Sequence, residues 1–316
     1  MADTPSDARV DYLLRMRSEA KERRRRKDPR GAFLAIFGLN TQDETFRISA
    51  KSNGQLAHEL TLEPLEAAPT VVGSELTRGL APRHQLCLLG PDVNMHESWV
   101  LDGVFWTSSA LLRLASDGFF VMCELADRSW DIIDGVENPA LTHVPMPGRW
   151  PPGWWPPANT MLSPEAWAWV VRSIEPALEM RVNRTFHFAF EAFWGSFDES
   201  DPRMAASKVW AGIESIFGIQ SELRFRLALY AASVLEPSGE ARVSLYRRLL
   251  KLYDQRSKVV HGGAIEADVL TRHVVASQDV LRRLLRDALE VKHIRTPREI
   301  EELLLGASEA PSERRT

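Results

Sequence analysis

The chain has 316 residues, of which 44% are hydrophobic and 26% charged, with 39 basic and 43 acidic side chains. This size predicts two domains, each with its own hydrophobic core. The net charge of −4 excludes a uniformly basic nucleic-acid coat protein, so any phosphate binding must use local patches. Two cysteines cannot build a disulfide framework, and neither a membrane span nor a signal peptide is evident. We therefore expect a cytoplasmic protein.

The N-terminal segment, residues 1–30, differs in charge from the remainder of the chain. It carries ten basic and six acidic side chains, which leaves the other 286 residues with a net charge of −8. Residues 10–16 are weakly amphipathic, and the basic run KERRRRK extends this predicted helix or tail into solvent. Two interpretations stay open: a solvated helical tail, or a contact of Arg23–Arg26 with RNA or a partner protein.

Residues 31–144 combine short apolar runs with turn residues and predict an α+β domain with an antiparallel or mixed sheet. The run ALLRLAS fits either a short helix or a strand, because period alone does not separate the two. The predicted strands are GAFLAIFGL (31–39), HQLCLLG (84–90), ESWVLDGVFW (97–106) and GFFVMCELA (118–126).

The segment at residues 145–160 is dominated by proline and tryptophan, as in PMPGRWPPGWWPP. Proline lacks an amide donor and forces its predecessor into extended geometry, which excludes a helix or a central strand. The segment therefore marks a domain boundary. Its tryptophans either pack the linker onto a domain or form a surface for a ligand or a stacked base.

Residues 161–306 predict an all-α bundle of about six helices, followed by a disordered tail at residues 307–316. The predicted fold class is thus α+β, with a strand-rich N-terminal domain and a helical C-terminal domain. Glycine is favoured just beyond a helix, so Gly262 and Gly263 predict the end of the helix before them. Helix starts are predicted at Ser163-Pro164, Asp201-Pro202, Ser221 and Thr296-Pro297.

Common cofactor and metal motifs are absent from the sequence. It contains no GxxxxGK[ST], GxGxxG, HExxH, GxSxG or paired CxxC motif. Asp92, His96 and Glu97 are possible metal ligands, but they form a single short loop-like group. We therefore predict neither a metal site nor a cofactor.

The segment YDQRSKVVHGG, residues 253–263, has residues suited to RNA cleavage. Attack of a 2′-hydroxyl group on the adjacent phosphate needs a group that transfers protons near neutral pH, a role that suits His261. It also needs fixed positive charge for the developing phosphorane, which the planar guanidinium of Arg256 can supply. No metal is required for this chemistry.

Similar spacings of arginine and histidine also occur by chance, at Arg78/His84, Arg181/His187 and Arg286/His293. The context favours Arg256 and His261. Arg256 continues the apolar side of its helix, the glycines allow the chain to turn back, and residues 242–261 carry a net charge of +5. From the residues alone, a structural role for the pair is the alternative. The predicted phosphate contacts are Arg247, Arg248, Lys251 and Lys258.

Residues 160–295 resemble the HEPN superfamily, in particular its Apea-like branch. The resemblance rests on KVWAGIESIFG, SELRFRLALYAASVL and YDQRSKVVHGG in this order. It implies a compact helical bundle that commonly dimerises. In active members of the superfamily, two arginine–histidine motifs face each other across the dimer and form a metal-independent ribonuclease site.

Carried over by position, the resemblance implies that Arg256 and His261 are the catalytic pair. Glu214 matches an acidic position that orients the arginine; its alternative is a solvated helix carboxylate. Ser257 and Asp254 are supporting residues. Many HEPN nucleases have Asn, Asp or His at the position of Ser257, although serine is usual in the Apea-like branch.

Two functions follow as expectations. The first is an RNA endonuclease of bacterial anti-phage defence or toxin action, which leaves 2′,3′-cyclic phosphate ends and uses its N-terminal domain to sense a trigger or select RNA. The defence role rests on the resemblance alone. The second is a catalytically inert HEPN module that forms dimers or binds a ligand. RNA and a second copy of the chain are the expected partners.

Overall fold

The computed structural model describes residues 31–41, 45–52, 55–65, 83–89, 93, 103, 105–116, 118–133, 136, 140–143, 154, 160–219, 221–260 and 262–305. These residues divide into two compact units. The first contains residues 31–143 and 160–171, and the second contains Trp154 and residues 172–305. The predicted N-terminal helix or tail, the C-terminal tail, and the candidate metal ligands Asp92, His96 and Glu97 lie outside the described residues.

The first unit is built on an antiparallel sheet, which has six strands within the described residues. The strand order is β3-β4-β5-β1-β6-β7, so that β1 lies between β5 and β6 and is buried along its whole length. A separate short parallel pair joins β2 to β8. The strands are β1 (Gly31–Phe37), β2 (Leu39–Asn40), β3 (Phe46–Ser52), β4 (Gln55–Pro64), β5 (His84–Leu89), β6 (Val121–Ala126), β7 (Leu141–His143) and β8 (Thr160–Met161).

One helix, α1 (Trp106–Ala115), accompanies this sheet among the described residues. It contains most of the ALLRLAS run, which settles that ambiguous run as helix. The predicted strand at residues 97–106 is wrong at its C-terminal end, because Trp106 begins α1; residues 97–102 lie outside the described part of the chain. The β3–β4 hairpin was not predicted, since its polar residues interrupt the apolar runs on which strand prediction depends.

The second part of the chain is helical, with seven helices among the described residues where about six were predicted. They are α2 (Pro164–Met180), α3 (Arg184–Ser196), α4 (Pro202–Phe217), α5 (Leu223–Leu235), α6 (Glu240–Val260), α7 (Ala267–Val291) and α8 (Pro297–Leu304). The coarse fold class, α+β, is therefore confirmed. The chain passes from the first compact unit to the second inside α2, between Val171 and Arg172, and Trp154 of the segment 145–160 also belongs to the second unit. No helix in the described ranges has both the length and the apolar character needed to cross a membrane.

Local capping chemistry explains most of the helix ends. The Asp201 carboxylate accepts a hydrogen bond from the amide of Arg203, and Thr296 forms a capping box with Glu299. The prediction that Ser221 caps α5 is wrong. Glu222 occupies the N-cap position with a left-handed backbone, φ 53°, and makes no side-chain cap bond.

Trp154 packs onto a domain, as predicted for the tryptophans of the linker, whereas Trp150 and Trp155 lie outside the described residues. The indole Nε1 of Trp154 donates a hydrogen bond to the carbonyl of Glu199 at 3.0 Å. The side chain packs on a buried cluster of the second unit, in which Val259 at the end of α6 takes part. The other members of that cluster are Ala205, Ala206, Leu270 and Val274.

Gly212 permits a close approach of α3 and α7 to α4. A Cβ atom at this position would lie 2.8 Å from Leu281 Cδ2 and 3.0 Å from Ala192 Cβ. We expect Gly212→Ala to lower the free energy of unfolding by about 1–3 kcal/mol through overpacking, although alanine is the better helix former by about 1 kcal/mol. Denaturant unfolding of the full chain measures this change.

Gly195→Ala is the matched control for Gly212→Ala. The nearest atom that its Cβ would meet is Lys208 Nζ, the mobile end of a side chain, at 3.4 Å. The control variant should therefore be neutral or slightly stabilised. Equal gains in stability at both positions would contradict the packing role assigned to Gly212.

Candidate functional site

An ion pair between α6 and α4 is the centre of the candidate site. Arg256 Nη2 lies 2.9 Å from Glu214 Oε1, and the two side chains are only 23% and 24% exposed. The guanidinium carbon of Arg256 also lies 5.7 Å from the centre of the Tyr253 ring. Arg256 therefore points towards the bundle, as the apolar spacing on α6 predicts, and Glu214 contacts it as the resemblance implies.

Burial and the charge of Arg256 have opposite effects on the pKa of Glu214. Burial raises the pKa of this carboxyl group, and the guanidinium of Arg256 limits the rise by favouring the charged form. Arg256 Nε is also buried and makes no hydrogen bond with the described part of the chain. Glu214 thus restricts the orientation of the guanidinium, while the side chain of Arg256 stays 23% exposed, an arrangement that can receive an anionic oxygen.

A buried chain of hydrogen bonds lies next to this pair. Trp210 Nε1 donates to His273 Nε2 at 3.1 Å, and His273 Nδ1 lies 3.3 Å from Gln255 Oε1. Because the indole can only donate, Nε2 must accept, and the ring proton on Nδ1 is then donated to Gln255. Burial lowers the pKa of His273 to about 4, so the imidazole is neutral near pH 7.

This chain of hydrogen bonds supports the C-terminal part of α6, because Gln255 immediately precedes Arg256. Trp210 also packs edge to face on Tyr253, with ring centroids 5.6 Å apart. His273 was not among the residues predicted for the site. In the sequence, His273 lies among the apolar residues on one face of α7. That pattern predicts a buried histidine but does not show which distant residue it binds.

The end of α6 has the geometry that Gly262 and Gly263 predict. Gly262 has a φ of 71°, and its amide donates to the carbonyl of Val259 at 3.4 Å. The Gly263 amide donates to the carbonyl of Lys258 at 2.8 Å, and the two bonds together form a Schellman motif. His261 lies outside the described residues, so its catalytic role stays a prediction.

Arg203, near the start of α4, also binds the end of α6. Its Nη1 donates to the carbonyl of Val259 at 3.2 Å, and its Nη2 donates to the carbonyl of Gly263 at 3.1 Å. No pattern in the sequence predicts this contact, because the bonded residues are 56 and 60 positions away along the chain.

Asp254 lies on another side of α6 and has a different partner. Its carboxylate accepts two hydrogen bonds from Arg224 of α5, at 2.6 and 2.8 Å. These bonds lower the pKa of the Asp254 carboxyl group. Asp254 therefore joins α5 to α6, whereas Ser257 is half-buried one residue after Arg256.

The four predicted phosphate contacts on α6 do not share a face with Arg256. An α-helix turns by about 100° per residue, which places Arg247, Lys251 and Lys258 in one exposed stripe and Arg256 on the opposite side. Arg248 lies on a third side of α6, where its Nη2 is 3.5 Å from Asp279 Oδ2 on α7. The four predicted phosphate contacts and Arg256 thus do not form one continuous surface along α6.

The competing arginine–histidine spacings have histidines with other partners. His293 Nε2 lies 2.8 Å from Glu299 Oε1, and its Nδ1 lies 2.9 Å from the carbonyl of Val291, which fits a histidine at a helix end. His84 is buried in the sheet of the first unit and contacts Thr41 at 3.0 Å.

Metal ligands are not grouped within the described ranges: no three His, Cys, Asp or Glu side chains there could hold an ion together. Cys87 is buried in β5, where burial raises the pKa of its thiol well above the usual value. Comparison with protein-family models, with curated proteins and with solved structures yields no match to this chain.

Proposed function

We propose that this protein is a metal-independent RNA endonuclease of the HEPN type. The observation that carries the proposal is the Arg256–Glu214 ion pair, half-buried on α6 a few residues before the Gly262 turn. Such a pair restricts the orientation of a guanidinium, while the side chain of Arg256 stays 23% exposed and able to meet a phosphate. The motif order KVWAGIESIFG, SELRFRLALYAASVL and YDQRSKVVHGG supports the same family.

In the proposed reaction, the 2′-hydroxyl oxygen of RNA attacks the adjacent phosphorus. His261 acts as the base that takes the proton of this hydroxyl group, or as the acid that protonates the leaving oxygen. Arg256 stabilises the charge of the phosphorane, and Glu214 keeps Arg256 in position. The bond from phosphorus to the 5′ oxygen breaks, which gives a 2′,3′-cyclic phosphate end and a 5′-hydroxyl end.

The proposal also includes a homodimer, in which the arginine–histidine motifs of two copies form one site. RNA is the substrate, and the exposed stripe of Arg247, Lys251 and Lys258 binds its backbone outside the reacting phosphate. The first unit senses a trigger or selects RNA. A role in anti-phage defence or as a toxin rests on the family resemblance.

The test is cleavage of total RNA by the purified full chain in EDTA. We expect wild type to produce 2′,3′-cyclic phosphate ends, and we expect His261→Ala and Arg256→Ala each to reduce the cleavage rate by about 100-fold or more. Arg298→Ala is the matched control, because Arg298 is 88% exposed on α8 and pairs only with Glu302 among the described residues. Circular dichroism verifies that each variant is folded.

Two outcomes would count against the nuclease. Cleavage that persists in both variants would assign the activity to another residue or to a contaminant. A His261→Ala chain that unfolds would show that the histidine is structural. If wild type cuts no RNA in the assay, growth of cells that express wild type or His261→Ala separates an enzyme that needs a cellular trigger from an inert protein.

The second candidate function is an inert HEPN module that dimerises or binds a ligand. The observation in its favour is that Glu214 offsets the charge of Arg256, while the stripe of Arg247, Lys251 and Lys258 lies on the opposite face of α6. This module would form dimers that do not change when Arg256 is replaced. Equal growth of cells with wild type and His261→Ala, together with intact RNA, would favour it over the nuclease.

A further inference from the structure

We propose that Arg203 is a positioning residue for the catalytic segment at the end of α6. This inference rests on the proposed nuclease function and identifies how its site is held in place. Arg203 donates from Nη1 to the carbonyl of Val259 and from Nη2 to the carbonyl of Gly263. In the sequence, these two residues stand on either side of His261.

Two carbonyls that one guanidinium binds cannot move independently. The Val259 carbonyl belongs to the last turn of α6, where it also accepts from the Gly262 amide, and the Gly263 carbonyl lies beyond the Gly262 turn. The planar guanidinium of Arg203 therefore fixes the distance between Val259 and Gly263, the two residues that flank the His261 region in the sequence. The Schellman hydrogen bonds fix the path of the backbone at its glycines, and Arg203 joins that path to α4.

Arg203 is itself held in place by the start of α4. Its amide donates to the Asp201 carboxylate at 2.8 Å, which is the N-cap bond of this helix. Beneath it, Ala205 and Ala206 pack with Val259 in the buried cluster that also contacts Trp154. The guanidinium thus projects from a well-packed helix end.

The same helix holds the other half of the proposed pair. Glu214 binds Arg256 eleven residues after Arg203, near the opposite end of α4. One helix therefore sets the position of Arg256 through Glu214 and the position of the turn through Arg203. Reacting groups must be placed to within about 1 Å, because larger errors reduce rates by about 100-fold.

The test compares Arg203→Met with Arg295→Met in the full chain. Arg295 is the matched control: it is also half-buried and makes two hydrogen bonds to one partner, Asp287, but it lies between α7 and α8. We expect Arg203→Met to lower kcat for RNA cleavage at least about tenfold with KM changed less than about twofold. Arg295→Met should keep the wild-type kcat, even if its melting temperature falls as far as that of Arg203→Met.

Two further measurements keep the proposal testable if Arg203→Met folds poorly. Gly263→Ala disturbs the same turn from the other side, since its Cβ would lie 3.2 Å from the Lys258 carbonyl oxygen, and it should lower kcat in the same way. Hydrogen exchange of the Gly263 amide should be faster in Arg203→Met than in Arg295→Met.

The outcomes separate this inference from the proposed function. An active wild type with an unchanged kcat in Arg203→Met and Gly263→Ala would overturn the positioning role and leave the nuclease standing. Unchanged exchange of the Gly263 amide would show that Arg203 does not hold the turn. A wild type that is inert both in the EDTA assay and in cells would overturn the nuclease and, with it, a catalytic purpose for Arg203.

Discussion

Replacement of Arg256 by lysine is expected to reduce the rate of RNA cleavage by about 100-fold or more, nearly as much as replacement by alanine. Lysine keeps the positive charge and can still pair with Glu214, but its ammonium group is a single point donor. Arg256 has its Nη2 atom 2.9 Å from Glu214 Oε1, and its side chain is 23% exposed. A lysine that pairs with Glu214 would offer the phosphorane oxygens no second, coplanar N–H donor. Single-turnover cleavage of a short RNA measures the loss.

Glu214→Gln is the companion variant for this experiment. Glutamine can accept a hydrogen bond from Arg256 but carries no charge, so the arginine keeps a partner with a weaker hold on its orientation. We expect a smaller loss of rate than for Arg256→Lys. Wild-type rates in Arg256→Lys would show that the site needs charge alone and would refute the geometric role of the guanidinium.

Acidification from about pH 6.5 to about pH 4 is expected to cost the second unit about 3 kcal/mol of stability through His273 alone. The pKa of His273 is lowered from 6.5 to about 4 in the folded chain, because the imidazole is buried. Between these values the unfolded chain binds a proton that the folded chain does not, so stability falls as the pH falls. Above about pH 6.5 both states are neutral at this residue, and the effect vanishes.

His273→Gln isolates this contribution, because glutamine can accept from Trp210 and donate to Gln255 without titrating. Denaturant unfolding of the full chain at several pH values gives the stability of both proteins. The difference between them removes the contribution of other titrating groups, such as Glu299, whose pKa is lowered to about 2 by its bonds to Thr296. Parallel pH profiles for wild type and variant would show that His273 is not the neutral buried group described here.

The features that the sequence predicted correctly are those set by neighbouring residues. The helix starts at Asp201 and Thr296 and the helix end at Gly262 each depend on a few adjacent positions, and all three were found. The direction of Arg256 followed from its spacing to Leu249 and Leu252 on one helix face.

The contacts of the candidate site that were missed depend on residues far apart in the chain. Trp210 and His273 are 63 residues apart, and Arg203 reaches Gly263 across 60 residues. No periodic pattern encodes which of many buried polar groups will bind each other. Glu214 was assigned only through the family resemblance, since its spacing on α4 alone also fits a solvated carboxylate.

Helix α2 limits how the protein can be divided into fragments. Trp167 on its first turns is buried and stacks on Phe46 of β3, with ring centroids 5.7 Å apart, while the same helix continues into the second unit from Arg172. A fragment that begins at residue 161 would expose this indole to water and tend to aggregate. A fragment that begins at residue 172 would remove about two turns of the helix. Biochemical work on the helical part alone should therefore expect poor solubility or a frayed end, and the intact chain is the better starting material.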